Sequence, residues 1–193
     1  MSLEFQSKLN QLLVLGKKNG LFFSDWLKKK GYSDQLIRKY RQSGWLSSLD
    51  KGVMYRTGDK LSAIVSLSCY NEQLEKEVRI AAHSALELFG FNHYVPMGKP
   101  ILMLACPCSI VPKWMLKDCF DRTFKVFSTK TIEIPQTSNI NIEGVNLLVS
   151  SPEQAFMECL LLAKDQYNYM DLYYIMEQLT SLRADVVQIL LEN

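Results

Sequence analysis

The apolar residues at the start of the chain are spaced for helices, and those just after them for a hairpin. Phe5, Leu9, Leu12, Leu13 and Leu15 fall at helical intervals, and Gly20 closes that segment. Ser24 is placed to cap a short helix over 25–30, which Gly31 ends. Tyr32 and Ser33 form a turn. Ser33 then caps a second helix over 34–43, and Gly44 stops it. Leu36, Ile37 and Tyr40 make the inward face of that helix. Gln35, Arg38, Lys39, Arg41 and Gln42 make the outward face. Trp45-Leu46-Ser47 and Val53-Met54-Tyr55-Arg56 read as two strands around a turn over 48–52 that contains Gly52. Three helices followed by a hairpin predict a winged helix-turn-helix with Lys51 at the tip of the wing.

Farther on, the pattern mixes helix and strand. Residues 57–64 read as a connection that runs into a helix over 61–69. Residues 77–89 have helical periodicity, with Gly90 as a stop. The apolar run 101–105 reads as a buried strand, 111–120 holds a short helix, and 123–127 and 146–149 are further strands. Ser151-Pro152-Glu153-Gln154 is a strong helix start: a serine cap, proline at the first helical position, an acid in the first turn and a capping-box glutamine. That helix is expected to reach about residue 163, and two more follow, over 170–179 and 184–191. The fold class is therefore α+β: a winged helix-turn-helix over 1–60, then a mixed α/β domain over 61–193.

Charge sharpens this division. Residues 1–60 hold twelve Lys and Arg against five Asp and Glu, a net +7, while the remainder carries −5. The overall +2 hides a basic head on an acidic body. Such a head reads as a polyanion binder. Apolar residues make up 48% of the chain, a globular proportion, so disorder is excluded. The apolar run 101–111 is broken by Pro107 and is far shorter than the ~20 residues a membrane span needs. No apolar stretch follows a basic start at the N-terminus, and the cysteines number five, with no framework spacing. Both features point to reduced thiols in a cytoplasm.

The outward face of the second helix is the best candidate site. Arginine pairs with guanine edges in the major groove, and glutamine with adenine. Lys28, Lys29 and Lys30 end the preceding helix, where they would meet phosphates or merely offset the helix dipole. Ser33, Lys51 and Arg56 complete the set expected at DNA. Other constellations are weaker. Cys106-Pro107-Cys108 lacks the spacing of a zinc site or a redox dithiol, and buried thiols at a strand end fit it better. His83 lies among small residues, which reads as packing, and His93 lies in a loop. Glu72, Glu75 and Glu77 read as a solvated cluster. The acids show no metalloprotease, phosphate-loop or nucleophile-elbow pattern, so no catalytic residue, metal or cofactor is expected. An acid set assembled from distant positions would instead make the protein a DNA-processing nuclease. A plain protein-interaction module is the third reading.

The stretch Ser24-Asp25-Trp26-Leu27, Gly31-Tyr32-Ser33, Lys39-Tyr40, Ser43-Gly44-Trp45-Leu46 and Lys51-Gly52-Val53-Met54-Tyr55-Arg56 resembles the N-terminal winged helix of AbiEi-type antitoxins of type IV toxin–antitoxin systems, which act in phage abortive infection. The likeness continues through Ala85-Leu86-Glu87-Leu88-Phe89-Gly90, His93-Tyr94-Val95-Pro96, Pro112-Lys113-Trp114 and Ser151-Pro152-Glu153-Gln154-Ala155. The resemblance implies an autorepressor that binds inverted repeats of double-stranded operator DNA. It also implies antagonism of an AbiEii-like nucleotidyltransferase toxin without a stable complex, and leaves monomer and dimer both open. Carried onto this chain, the groove-reading positions are Gln35, Arg38, Lys39, Arg41 and Gln42, with Lys51 in the wing. Relatives continue past a point like Leu191-Glu192-Asn193, which implies a short member or a truncated C-terminus and bears on antitoxin activity more than on DNA binding. Ala81-Ala82-His83 stands where relatives have glycines, so no role is carried to that helix.

Overall fold

Leu21, Phe22 and Phe23 are all buried and form a three-residue strand, β1 (Leu21–Phe23), between two helices. The computed structural model describes residues 8–91, 98–106, 111–129, 135–142, 144–163 and 168–192. The helix before β1 is α1 (Lys8–Leu15), with Leu12 buried; the expected Phe5 contribution lies outside the described residues. After β1 come α2 (Ser24–Lys29), α3 (Asp34–Gln42), β2 (Leu46–Asp50) and β3 (Val53–Arg56). The strands form an antiparallel sheet in the order β1-β3-β2. Three helices on a three-stranded sheet make the winged helix-turn-helix.

One cluster holds this module together: Leu12, Phe22, Leu27, Tyr32, Ile37, Tyr40, Leu46 and Met54. Each fully buried Leu or Phe contributes roughly 1.5–3 kcal/mol. Ser33 caps α3 as expected, its hydroxyl accepting from the Leu36 N–H at 3.3 Å. Gly44 follows the helix with φ +75°, a conformation that favours glycine. Ser24 differs from expectation. It is the first helical residue of α2, Phe23 holds the cap position with no side-chain cap, and the Ser24 N–H donates to the Gly52 carbonyl at 2.9 Å. The strand running into α2 leaves no turn in which a serine cap could sit.

Chain contacts define two units, one of Met1–Lys76 with Leu116–Asp121, the other of Glu77–Met115 with Arg122–Asn193. The first extends past residue 60 because α4 (Ala63–Leu74) packs on β1. Gln73 of α4 acts as a partner strand: its Oε1 accepts from the Phe23 N–H at 2.9 Å and its Nε2 donates to the Leu21 carbonyl at 2.8 Å. The helix expected over 61–69 thus starts later and runs a turn longer.

The second unit holds a five-stranded mixed sheet in the order β6-β5-β4-β8-β7. Its strands are β4 (Arg79–Ile80), β5 (Ile101–Cys106), β6 (Thr123–Ser128), β7 (Thr137–Ile142) and β8 (Val145–Ser150). Its helices are α5 (Ala82–Leu88), α6 (Pro152–Leu161), α7 (Tyr169–Gln178) and α8 (Ala184–Glu192). The helix expected over 77–89 is therefore interrupted. Arg79 and Ile80 enter the middle of the sheet, antiparallel to β5 and parallel to β8, and only Ala82–Leu88 is helical. Gly90 does stop it, at φ +86°. β7 was not expected at all. The short helix expected over 111–120 is a single 3₁₀ turn, Lys113–Leu116. The helix start at Ser151 forms in part: its hydroxyl accepts from the Gln154 N–H and Pro152 opens the helix, but the capping box does not close, because the Ser151 N–H donates to the Gln136 carbonyl and the Gln154 side chain is taken by the Gln136 N–H and Glu158.

Candidate nucleic-acid interface

The periodicity of α3 decides what the first unit presents. Ile37 and Tyr40 are buried, and Leu36 packs against the same core. That leaves Gln35, Arg38, Lys39, Arg41 and Gln42 exposed on the opposite side. Arg38, Arg41 and Gln42 line an open groove of about 960 Å³ with Gly44, Leu46, Ser47, Ser48, Tyr55 and Thr57. The helix supplies guanidinium and amide donors, and the hairpin supplies hydroxyls. Gln35 and Lys39 are exposed on the same helix but outside this groove. Among the described residues, no ion pair or hydrogen bond engages the side chains of Arg38, Lys39, Arg41 or Lys51. Lys51 stands exposed in the tight turn between β2 and β3, beside Gly52 at φ +73°.

The remaining expected cations are used internally. Lys28 Nζ pairs with Asp34 at 3.0 Å, and Lys29 Nζ with Glu75 at 3.2 Å. Lys30 Nζ lies 5.9 Å from the centre of the Trp26 ring. All three lysines are nonetheless exposed, so these are weak surface contacts that a polyanion can displace. Arg56 is engaged within the unit. Its Nη2 donates to the Leu13 carbonyl at 2.7 Å and approaches the Gly16 carbonyl at 3.5 Å. The C-terminus of α1 leaves carbonyls without helical partners, and Arg56 is turned inward to satisfy them. Ser33 likewise spends its hydroxyl on the α3 cap.

Ser47, Ser48, Tyr55 and Thr57 also line the groove, and the sequence did not single them out. Ser48, expected in the turn, lies in β2 opposite Met54, and Ser47 opposite Tyr55, a register that local pattern does not give. Ser47 Oγ and Thr57 Oγ1 lie 2.9 Å apart.

The second unit presents a different chemistry. Arg79 and Glu158 are both buried, and Nη2 donates to Oε1 at 2.9 Å. Ser150 Oγ accepts from Arg79 Nε at 3.0 Å and donates to Glu158 Oε1 at 3.1 Å. Gln154 Nε2 donates to Glu158 at 2.8 Å, and the Ala82 N–H donates to its other oxygen at 2.9 Å. Glu153 is gripped by Arg183, whose Nε and Nη2 donate to its two oxygens at 2.9 and 3.1 Å. Burial pushes the Glu153 carboxyl up, but the Arg183 side-chain and backbone hydrogen bonds outweigh it and hold it at about 2. Among the described residues, the two buried acids of this unit, Glu153 and Glu158, thus serve structural pairs. Desolvation lowers the pKa of His83, although Glu87 pulls it the other way. Cys106 is buried at the end of β5, while Pro107, Cys108 and His93 lie outside the described residues. Among the described residues, no three His, Cys, Asp or Glu converge to hold a metal ion. None of the helices described is long and apolar enough to cross a membrane.

Residues 5–97 match the family described as transcriptional regulator, AbiEi antitoxin N-terminal domain. Residues 99–193 match the one described as transcriptional regulator, AbiEi antitoxin, type IV TA system. A search of curated proteins finds no match. Two consecutive matches that together span residues 5–193, on a winged helix joined to a mixed α/β unit, assign the chain to the AbiEi antitoxins, the transcriptional regulators of type IV toxin–antitoxin systems.

Proposed function

We propose that the chain represses its own operon by gripping double-stranded operator DNA with α3 in the major groove and the β2–β3 hairpin alongside. The observation that carries this reading is the groove itself. Arg38, Arg41 and Gln42 line it together with Ser47, Ser48, Tyr55 and Thr57, and the arginines have no internal partner among the described residues. Arg38, Arg41 and Gln42 are the base readers; Gln35, Lys39 and Lys51 flank them, and Lys28, Lys29 and Lys30 steer phosphates. The second unit counters a nucleotidyltransferase-like toxin without forming a stable complex, and the protein acts in the cytoplasm with no catalytic step of its own. Family membership as an antitoxin and regulator supports this division.

The test is affinity for the duplex upstream of the chain's own operon across a salt series. Each phosphate neutralised adds roughly −0.9 to the log–log slope, so binding is expected to fall steeply with salt. A flat response defeats the electrostatic grip. Replacing the upstream duplex by an unrelated sequence of equal length should leave only the weak, salt-sensitive component.

A further inference from the structure

The β2–β3 hairpin is braced up to its tip. β1 pairs β3 through Leu21↔Tyr55, Phe22↔Met54 and Phe23↔Val53, so a third strand runs alongside to the last residue before the turn. Asp50↔Val53 closes the hairpin, and only Lys51 and Gly52 lie in the turn. The turn itself is pinned. The Gly52 carbonyl accepts from the Ser24 N–H at 2.9 Å, and a side-chain carbon on Gly52 would come within 2.8 Å of Ser24 Oγ. The Lys51 N–H donates to Asp50 Oδ1 at 2.8 Å. The hairpin therefore has no length free of the sheet with which to enter a second groove of the duplex.

Its charges agree. From Leu46 to Arg56 the charged side chains are Asp50, Lys51 and Arg56, and Arg56 is turned inward onto the Leu13 carbonyl. What remains at the tip is one lysine beside one carboxylate. Side chains that enter the minor groove are drawn by its negative potential, which the Asp50 carboxylate would oppose. A phosphate on the rim asks only for an exposed ammonium, and Lys51 supplies one. Ser48, in the wall of the α3 groove, stands three residues before Lys51. At about 3.3 Å per residue the tip is about 10 Å from that wall. The major groove is roughly 12 Å wide, so with α3 inside it Lys51 falls over the flanking backbone.

We infer that the hairpin positions the DNA backbone and reads no base: Lys51 rests on one phosphate beside the major groove, the Ser24–Gly52 bond fixes its place, and the minor groove stays empty. This assignment rests on α3 being the reading helix, and it leaves all base selection to that helix and the groove it lines.

The test measures affinity of the full chain, by anisotropy, for the duplex upstream of its own operon and for an unrelated duplex of equal length. Lys51→Gln should weaken both by the same factor, about fivefold in about 0.15 M salt, and make the log–log salt slope shallower by about 0.9. Ser24→Pro deletes the donor to Gly52 but keeps α2, because proline suits the first helical position. It should weaken both duplexes alike, by no more than Lys51→Gln does. Inosine in place of guanine removes the minor-groove amino group and keeps the major-groove acceptors, so inosine-substituted operator should bind as the parent does. A Lys51→Gln chain that binds like the wild type, or whose preference between the two duplexes changes, overturns the inference. So does a loss of affinity on inosine substitution, or a folded Ser24→Pro chain with wild-type affinity. Lys51 is exposed, so its variant decides the matter even where Ser24→Pro does not fold. A wild-type chain that binds both duplexes equally overturns the reading role of α3 instead, and this assignment with it.

Discussion

Arg79 and Glu158 face each other inside the second unit at 2.9 Å, one from β4 and the other from α6, and both are buried. The carboxylate also takes hydrogen bonds from Ser150, Gln154 and the Ala82 backbone, so its charge is fully engaged. Removing one partner strands the other in a low-dielectric interior, which costs about 3–5 kcal/mol. Glu158→Ala is therefore expected to lower the urea midpoint of this unit severely, and Arg79→Ala nearly as much. The double variant Arg79→Met with Glu158→Leu should recover much of the loss, since it leaves no lone charge. Equal damage from the double and single variants would show that the hydrogen bonds around the pair matter more than its charges.

Glu153 and Arg183 join the first turn of α6 to the start of α8. The Glu153 carboxyl sits at about 2, below its ordinary 4.5. A depressed carboxylate stabilises the fold fully above the unfolded value and loses that contribution as pH falls through the folded one. The thermal midpoint should accordingly drop between about pH 4.5 and 2, and Arg183→Ala should flatten the drop. Arg183 is more than half exposed, so high salt should soften the effect as well. An identical acid profile in Arg183→Ala would assign the drop to other groups.

Gly16 lies against the Phe22 ring so closely that an added methyl would overlap it. Phe22 is fully buried in the core of the winged helix and has no room to retreat. Gly16→Ala should cost roughly 1–3 kcal/mol through overpacking. Gly31→Ala, where no atom lies within 4 Å of the new methyl but φ is +83°, isolates backbone strain alone. Denaturant melts of the two variants separate the two causes, and the steric account fails if Gly16→Ala melts like the wild type.

The winged helix was legible where its signals are local. Ser33, Gly44 and Gly52 punctuate the chain within a turn of where they act, and the alternation of Ile37 and Tyr40 against Arg38 and Arg41 fixes which face of α3 is exposed. β1 was not legible, because three apolar residues become a strand only by pairing with Val53, Met54 and Tyr55 thirty residues on. Arg79 misled for a related reason. It continues a helical rhythm, yet its guanidinium is held by Ser150 and Glu158, far along the chain. β7 carries too little apolar alternation to announce itself and is defined by its ladder to β8. At the candidate site, charge revealed which residues are cationic but not where they point. Arg38 and Arg56 look alike in the sequence, and only the open carbonyls at the end of α1 set them apart.

That contrast gives a paired test. Arg38 lines the groove, so Arg38→Ala should weaken operator binding by about 1–3 kcal/mol, roughly five- to 150-fold. Stability should stay unchanged, because no internal contact is lost. If Arg38 reads a guanine edge, the loss should fall on one base-pair position, and a duplex altered there should bind wild type and variant alike. Arg56 caps α1 instead, with its Nη2 on the Leu13 carbonyl. Arg56→Ala should cost about 1–2 kcal/mol in urea stability by orphaning that carbonyl. Affinity measured on the folded fraction should change little. Fluorescence anisotropy on a labelled duplex reads the first quantity and a urea melt the second. A folded Arg56→Ala that loses binding as Arg38→Ala does would return Arg56 to the DNA face, and an Arg38→Ala that binds normally would remove α3 from the interface.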